Sequence, residues 1–183
     1  PTPKTSYRRE ITWSVFEEKA NRFANLLLQR GVHKGEKVAI LMMNGLEWLP
    51  IYFGILKTGA LAVPLNFRYS SEEIAYCVEK AEVDVLVFGN AFIGRVEEIA
   101  DHISKGRLLI YVGDGCPSFA DDYHLLSANC SSRAPGIEIS DDDDAAIYFS
   151  SGTTGFPKAI LHKHRSLMHA CYVEQAHHGQ TKD

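Results

Sequence analysis

A run of hydroxyl, glycine and lysine residues late in the chain has the composition of a phosphate-binding loop. It reads Ser-Ser-Gly-Thr-Thr-Gly-Phe-Pro-Lys over residues 150–158 and directly follows the apolar segment 145–149. Glycines let backbone N–H groups turn toward an anion without a Cβ in the way, and Ser and Thr hydroxyls donate where the amides cannot reach. A lysine adds a positive charge. The segment therefore predicts a loop that wraps a polyphosphate.

The spacing of this segment does not fit the Walker-type P-loop, which needs G-x-x-x-x-G-K-[ST] opening into a helix. Counting from Gly152, Pro157 occupies the position of the second glycine, and Ala159 follows Lys158 where a Ser or Thr is required. Residues 159–161 are Ala-Ile-Leu, which is typical of an extended chain rather than of a first helical turn. These departures argue against a P-loop kinase or a GTPase.

The same segment resembles the phosphate-binding signature of the adenylate-forming superfamily, which comprises acyl-CoA synthetases, peptide-synthetase adenylation domains and luciferases. That signature is Y-[ST]-S-G-[ST]-T-G-x-P-K-G, and Phe149 stands here at its tyrosine position. The matching positions are Ser150, Ser151, Gly152, Thr153, Thr154, Gly155, Pro157 and Lys158. Ala159 replaces the final glycine, which removes the option of a positive φ at the end of the loop.

Segments upstream of the loop resemble phrases that acyl-CoA synthetases carry in the same order. They are residues 11–13, 31–40, 44, 57–60 and 63–66. Asp143 stands where the family has an Asp before the loop strand, and His164 with Arg165 resembles a downstream His-Arg pair. The resemblance covers only the front part of such an enzyme, without its acidic motif, ribose-binding aspartate, hinge or C-terminal lysine. We therefore expect the chain to be a fragment of a longer enzyme.

The resemblance implies an ATP-dependent ligase that converts a carboxylic acid to an acyl-adenylate and then to an acyl-CoA. ATP with Mg²⁺ and coenzyme A would be its co-substrates, and a long- or medium-chain fatty acid or a similar acid its substrate. The expected phosphate-binding residues are Ser150, Ser151, Gly152, Thr153, Thr154, Gly155 and Lys158. His164 is expected near the active site, whereas the catalytic residues are expected outside this chain. The fragment alone is then expected to be inactive.

Two other functions stay open at this point. Within the superfamily, an amino-acid-adenylating domain would carry the same loop, and a carrier-protein domain downstream would favour it. Outside catalysis, a nucleotide-binding or interaction module could use the same half-domain, since a fold alone does not fix a function.

The composition is that of an ordinary globular domain with no electrostatic signature for nucleic acid. The 183 residues are 45% apolar, and 19 basic and 23 acidic residues give a net charge of −4. The longest apolar runs, such as residues 38–43, are too short to span a membrane, and no signal-peptide pattern precedes them. We expect a cytoplasmic protein without a transmembrane segment, for which a homo-oligomer is an open possibility.

The cysteines, histidines and aspartates lack the spacing of a metal site. The cysteines at 77, 116, 130 and 171 predict free thiols, with Cys77 in the core. The histidines at 162, 164, 169, 177 and 178 have no H-E-x-x-H order, so we expect no resident metal. The aspartates at 141–144 predict a solvated run, because adjacent strand residues point to opposite faces. The tryptophans at 13 and 48 are expected to be packing residues.

Alternating helical and strand periods predict an α/β fold with a largely parallel sheet flanked by helices, as in the front part of the superfamily's large N-terminal domain. Capping-box sequences at Ser14 and Ser70 predict helix starts. Strands are expected at 37–43, 61–64, 83–88, 108–112 and 145–149, with a return strand at 159–162 and a helix at about 165–175. We divide the chain into an α/β subdomain at 1–112, an irregular connection at 113–142, and a strand-loop-helix unit at 143–183.

Overall fold

The described part of the chain forms a sheet of seven strands, which are parallel except for one hairpin at its edge. The computed structural model describes residues 9–103, 108–150 and 156–181. The strands are β1 (Lys37–Leu41), β2 (Leu61–Pro64), β3 (Val85–Gly89), β4 (Leu108–Val112), β5 (Asp121–Asp122), β6 (Asp144–Ser150) and β7 (Lys158–Lys163). Their order across the sheet is β5-β4-β3-β1-β2-β6-β7, and among these described strands the β6–β7 pair alone is antiparallel. The expected α/β fold with a largely parallel sheet is therefore confirmed.

Helices cover both faces of this sheet. They are α1 (Trp13–Gln29), α2 (Trp48–Leu56), α3 (Ser71–Lys80), α4 (Ile93–Ile103), α5 (Tyr123–Ala128) and α6 (His164–His178), with a 3₁₀ turn at Asn90–Phe92 before α4. Among the helices described, none combines the length and the apolar character that a membrane crossing requires.

The central strands bury side chains on both faces, as parallel strands covered by helices must. In β1, Val38 and Ile40 pack into one core with the side chains of α1 and α2. Ala39 and Leu41 pack into the other core, which α3 and α4 cover. The two cores are called the α1/α2 core and the α3/α4 core below.

Two predicted helix starts have different outcomes. At α3, the Ser70 hydroxyl accepts a hydrogen bond from the Glu73 N–H at 3.2 Å, and the Glu73 carboxylate accepts one from the Ser70 N–H at 2.8 Å. The predicted capping box is confirmed there. At α1, the N-cap is Thr12 and the helix already begins at Trp13, so the box predicted at Ser14 is wrong. Helical geometry begins two residues earlier because the Thr12 hydroxyl accepts from the Val15 N–H.

The connection at 113–142 is more ordered than its sequence predicts. It contains the two-residue strand β5 and the six-residue helix α5, both too short for a periodic pattern to be read. Side-chain amides and a guanidinium on α1 hold the residues that follow α5. Asn21 donates to the Ser132 carbonyl at 2.9 Å, and Arg22 donates to the Cys130 carbonyl at 2.6 Å. Polar bonds from α1 thus replace the periodic packing that the segment lacks.

The cysteine predictions are confirmed, and one tryptophan prediction is wrong. All four cysteines are free, and Cys77 is fully buried in the α3/α4 core. Trp48 stacks on Tyr52, with ring centroids 5.5 Å apart. Trp13 is 84% exposed among the described residues; it stands in the first turn of α1, where the Phe16 ring contacts it edge-on.

Candidate functional site

The β6–β7 hairpin brings together the two ends of the glycine-rich segment. β6 runs parallel to β2, so Ser150 lies at its carboxyl end, and the antiparallel register places Lys158 of β7 directly opposite Ser150. Open α/β sheets bind ligands at the carboxyl edge of their strands. The residues Ser151, Gly152, Thr153, Thr154 and Gly155 lie outside the described part of the chain. The predicted loop therefore starts and ends at one point on the edge where a ligand is expected.

An aromatic contact holds the chain where it leaves the loop and enters β7. The Phe156 ring packs on the Tyr76 ring of α3, with centroids 4.6 Å apart and planes tilted by 31°. Pro157 is buried next to it, whereas the Lys158 side chain is exposed to solvent. The backbone before Lys158 is thus held in place, while the Lys158 side chain is exposed and can reach an anion.

Strand β6 is held on both of its faces. Ile147 and Phe149 pack against the α3/α4 core. On the other face, the hydroxyls of Tyr148 and Tyr52 are 2.7 Å apart and share a hydrogen bond. Burial, followed by this hydrogen bond, raises the pKa of Tyr52 far above its ordinary range, so the Tyr52 phenol stays protonated. The strand that carries Ser150 is therefore rigidly positioned.

The sequence did not reveal either of these aromatic contacts. Tyr76 lies outside the apolar period of α3, which consists of Ile74, Cys77 and Val78, and Tyr52 lies one turn after Trp48 in α2, so neither residue signals a contact with the hairpin. Their partners lie 80 and 96 positions further along the chain, and a single sequence carries no signal for such pairs.

An ion pair stands at the opposite end of the hairpin, before β6 begins. The Lys34 ammonium lies 2.5 Å from the Asp143 carboxylate and also donates to the Glu138 carbonyl at 3.2 Å. The hydrogen bond from Lys34, followed by one from the Ser140 N–H, holds the pKa of Asp143 below its ordinary value. The aspartate run is thus partly paired: Asp142 contacts the Arg165 guanidinium at 2.6 Å. The Asp142 side chain is 67% exposed, as expected for a solvated run, whereas the Asp143 side chain is only 25% exposed and departs from that expectation.

His164 lies at this same end. Its backbone N–H donates to the Asp143 carbonyl at 3.1 Å, and its Nε2 is buried without a hydrogen-bond partner among the described residues. Desolvation by burial lowers the pKa of His164. β6 is seven residues long, so about 20 Å of strand separates His164 from the loop. The hairpin does not bring His164 to the phosphate-binding residues, and its expected place near the active site stays a prediction.

Within residues 9–103, 108–150 and 156–181, no three metal-ligating side chains of the His, Cys, Asp or Glu type converge. The carboxylates nearest to the hairpin are those of residues 141–144, which stand at the amino end of β6.

The fold and this hairpin define the class of protein: a parallel α/β domain that presents a glycine- and hydroxyl-rich loop at its carboxyl edge. The family model described as "AMP-binding enzyme" matches residues 3–183. The chain belongs to this family.

Three similar proteins illustrate the family. The chain is 32% identical over 173 residues to the 3-hydroxybenzoate–CoA/4-hydroxybenzoate–CoA ligase of Thauera aromatica, covering 93% of this chain and 33% of that one. It is 31% identical over 166 residues to the long-chain-fatty-acid–CoA ligase FadD13 of Mycobacterium tuberculosis, covering 90% and 31%. The anthranilate CoA ligase AuaEII, solved in complex with anthranoyl-AMP, superposes with a TM-score of 0.82 at 28% identity, over 86% of this chain and 30% of that one. The chain therefore spans about a third of the length of these relatives.

Proposed function

We propose that this chain is the phosphate-binding portion of an AMP-forming acid–thiol ligase. In such an enzyme a carboxylate oxygen attacks the α-phosphorus of MgATP, the bond to the β-phosphate bridging oxygen breaks, and pyrophosphate leaves. The thiolate of coenzyme A then attacks the acyl carbon of the adenylate, and AMP leaves. Both steps use substrate atoms as nucleophile and leaving group, so the protein has to supply position and charge.

The residues proposed to hold the β- and γ-phosphates are those of the glycine-rich segment. They are Ser150, Ser151, Gly152, Thr153, Thr154 and Gly155, with Lys158 as the cation. Hydroxyl and amide donors in fixed positions stabilise the charge that builds on the departing pyrophosphate. The observation that carries this proposal is the hairpin register, which puts Ser150 opposite Lys158 at the carboxyl edge of the sheet.

The three parts of the chain take different roles in this proposal. Residues 1–112 form the scaffold, residues 113–142 the connection, and residues 143–183 the unit that carries the loop, all within one AMP-binding domain. The binding groups for adenine, ribose and the acid, and the residues that act on the reacting atoms, are proposed to lie in the portion of the relatives that this chain does not span. The isolated chain is then inactive.

The substrate is proposed to be an organic acid of the kinds that the relatives' names give. Those names include hydroxybenzoates and long-chain fatty acids. A panel of acids must therefore include aromatic, medium-chain and long-chain members.

Carboxylate-dependent exchange of pyrophosphate into ATP tests the proposal. It is run on this 183-residue chain and on the complete product of its reading frame, with the acid panel. We expect exchange only in the complete protein and only with its own acid, followed by acyl-CoA formation when coenzyme A is added. Exchange without transfer to coenzyme A would favour an amino-acid-adenylating domain. Absence of exchange with every acid would overturn the ligase proposal in favour of a nucleotide-binding module.

Loop variants in the complete protein test the residue assignment. Thr154→Ala removes one phosphate donor and is expected to slow exchange about 10²-fold, whereas Thr154→Ser keeps the hydroxyl and most of the rate. Lys158→Ala is expected to slow exchange at least about tenfold, because it removes the charge at the loop. Lys163→Ala is the matched control, since Lys163 ends the same strand at the far end of the hairpin. Equal effects of the two lysine variants would contradict the assignment.

A further inference from the structure

The Phe156 ring, which follows the glycine-rich segment, packs on Tyr76 of helix α3. From the geometry we propose that Tyr76, acting through the Phe156 ring, is a positioning residue that sets the loop for the β- and γ-phosphates of ATP. The inference rests on the proposed function, because it assigns a partner to the same loop. Tyr76 itself touches no substrate in this proposal.

The two sides of the loop are held differently. Before the loop, Ser150 ends strand β6, which packs on both faces through Phe149 and through the hydrogen bond between Tyr148 and Tyr52. After the loop, β7 is an edge strand that pairs with β6 alone among the described strands, and its first four residues are exposed. The position of the chain at the end of the loop therefore depends on contacts made just before β7.

Those contacts are the burial of Pro157 and the packing of Phe156 on Tyr76. A centroid distance of 4.6 Å lies at the close end of the range for favourable aromatic pairs. Phe156 is still 45% exposed, so the contact with the Tyr76 ring leaves much of it open to solvent. Removing the Tyr76 ring would therefore take away the aromatic contact that holds the Phe156 ring.

Tyr76 is itself well suited to act as a fixed platform. It stands in the middle of α3, whose first turn is closed by the capping box of Ser70 and Glu73. The residues on either side of it, Ala75 and Cys77, pack against or within the α3/α4 core. Because the core fixes α3, it also fixes the Tyr76 ring that contacts the end of the loop.

The expected consequence is a change in ATP binding rather than in acid binding. A loop that occupies its binding geometry only part of the time weakens the apparent affinity in proportion to that fraction. The range of measured aromatic pair energies corresponds to about a two- to tenfold effect. Tyr76→Ala should therefore raise the KM for MgATP about two- to tenfold in the complete protein, with the KM for the acid unchanged.

A set of variants separates positioning from general destabilisation. Tyr76→Phe keeps the ring and should restore the wild-type KM, whereas Phe156→Ala should match Tyr76→Ala. The double variant Tyr76→Ala/Phe156→Ala should be no worse than either single change, because both remove the same contact. Trp13→Ala is the control, since it removes an exposed ring in a similar pair with Phe16. Additive effects, or equal changes in the KM values for ATP and acid, would overturn the inference.

Proteolysis gives a readout that does not depend on activity. Trypsin can cut after Lys158, which is exposed at the start of β7. Cleavage there should be faster in Tyr76→Ala than in wild type or Tyr76→Phe, while cleavage after Lys57 stays the same. If no acid supports exchange, the proposed function fails and the cleavage rates still decide whether Tyr76 holds the loop. If exchange occurs but neither the KM for ATP nor the cleavage rate responds to Tyr76→Ala, the inference alone is overturned.

Discussion

Cys77 shows how one buried thiol ties the stability of the fold to pH. It is fully buried in the α3/α4 core, and burial, with the nearby Glu73 charge as a smaller cause, raises its pKa from 9.0 to about 12. The unfolded chain ionises this thiol near pH 9, while the folded chain keeps it neutral. Because the folded pKa is raised, the contribution to stability is complete below pH 9 and is lost as the pH rises toward 12.

Replacing Cys77 should therefore make the protein less sensitive to alkali. At pH 8, Cys77→Ala is expected to lower the free energy of unfolding by about 1–2 kcal/mol, because it leaves a small cavity. Between pH 8 and pH 10 the wild type should lose about 1.4 kcal/mol that the variant does not lose. Urea unfolding under reducing conditions at the two pH values measures this difference. A gap between the two proteins that stays constant with pH would contradict the assigned pKa.

At the scale of elements, helix α3 links the stability of the fold to the loop. Its capping box satisfies backbone N–H groups at the first turn, and its middle carries Tyr76. Ser70→Ala removes the hydroxyl that accepts from the Glu73 N–H and should lower the free energy of unfolding by about 1 kcal/mol. Ser70→Asp keeps an acceptor and should be close to wild type. Equal losses in both variants, measured by urea unfolding, would show that the cap is not the source.

The sequence predicts the elements well where their local patterns are strong. The four-residue strand β2, the capping box of α3 and the return strand of the hairpin all follow from residue types within a few positions. The start of α1 does not, because Thr12 and Ser14 are both good caps and only the structure shows which hydroxyl accepts. The elements β5 and α5 escape prediction because they are too short to show a period.

The candidate site also has parts that the sequence predicts and parts that it does not. Its loop is visible in the sequence as a continuous motif, and its position at the carboxyl edge follows from the parallel sheet. The platform under Phe156 is not visible, since Tyr76 lies 80 residues earlier and looks like any helical aromatic residue. The place of His164 near the active site is implied by the resemblance of His164 and Arg165 to a family pair and stays a prediction, since β7 separates His164 from Lys158 in the hairpin.

At the scale of the whole molecule, one side of the domain presents an apolar surface to solvent. No residue of α6 is fully buried, although Leu167 packs partly against the α1/α2 core. The exposed apolar side chains on α6 are Met168, Tyr172 and Val173, each at least 51% exposed. Apolar side chains grouped in this way on an exposed helix can mark a contact with a partner.

We predict that this surface makes the 183-residue chain self-associate. Tyr172 is 62% exposed on the outward side of α6, so Tyr172→Lys should place a charge in the contact and shift the chain toward monomer. Leu125→Lys is the matched control, because Leu125 is 73% exposed on α5, which packs near the opposite edge strand β5. Both variants add the same charge, so a general effect of net charge would act on them equally. Sedimentation equilibrium over a range of protein concentrations measures the association constant, and a similar constant for both variants would place the contact elsewhere on the molecule.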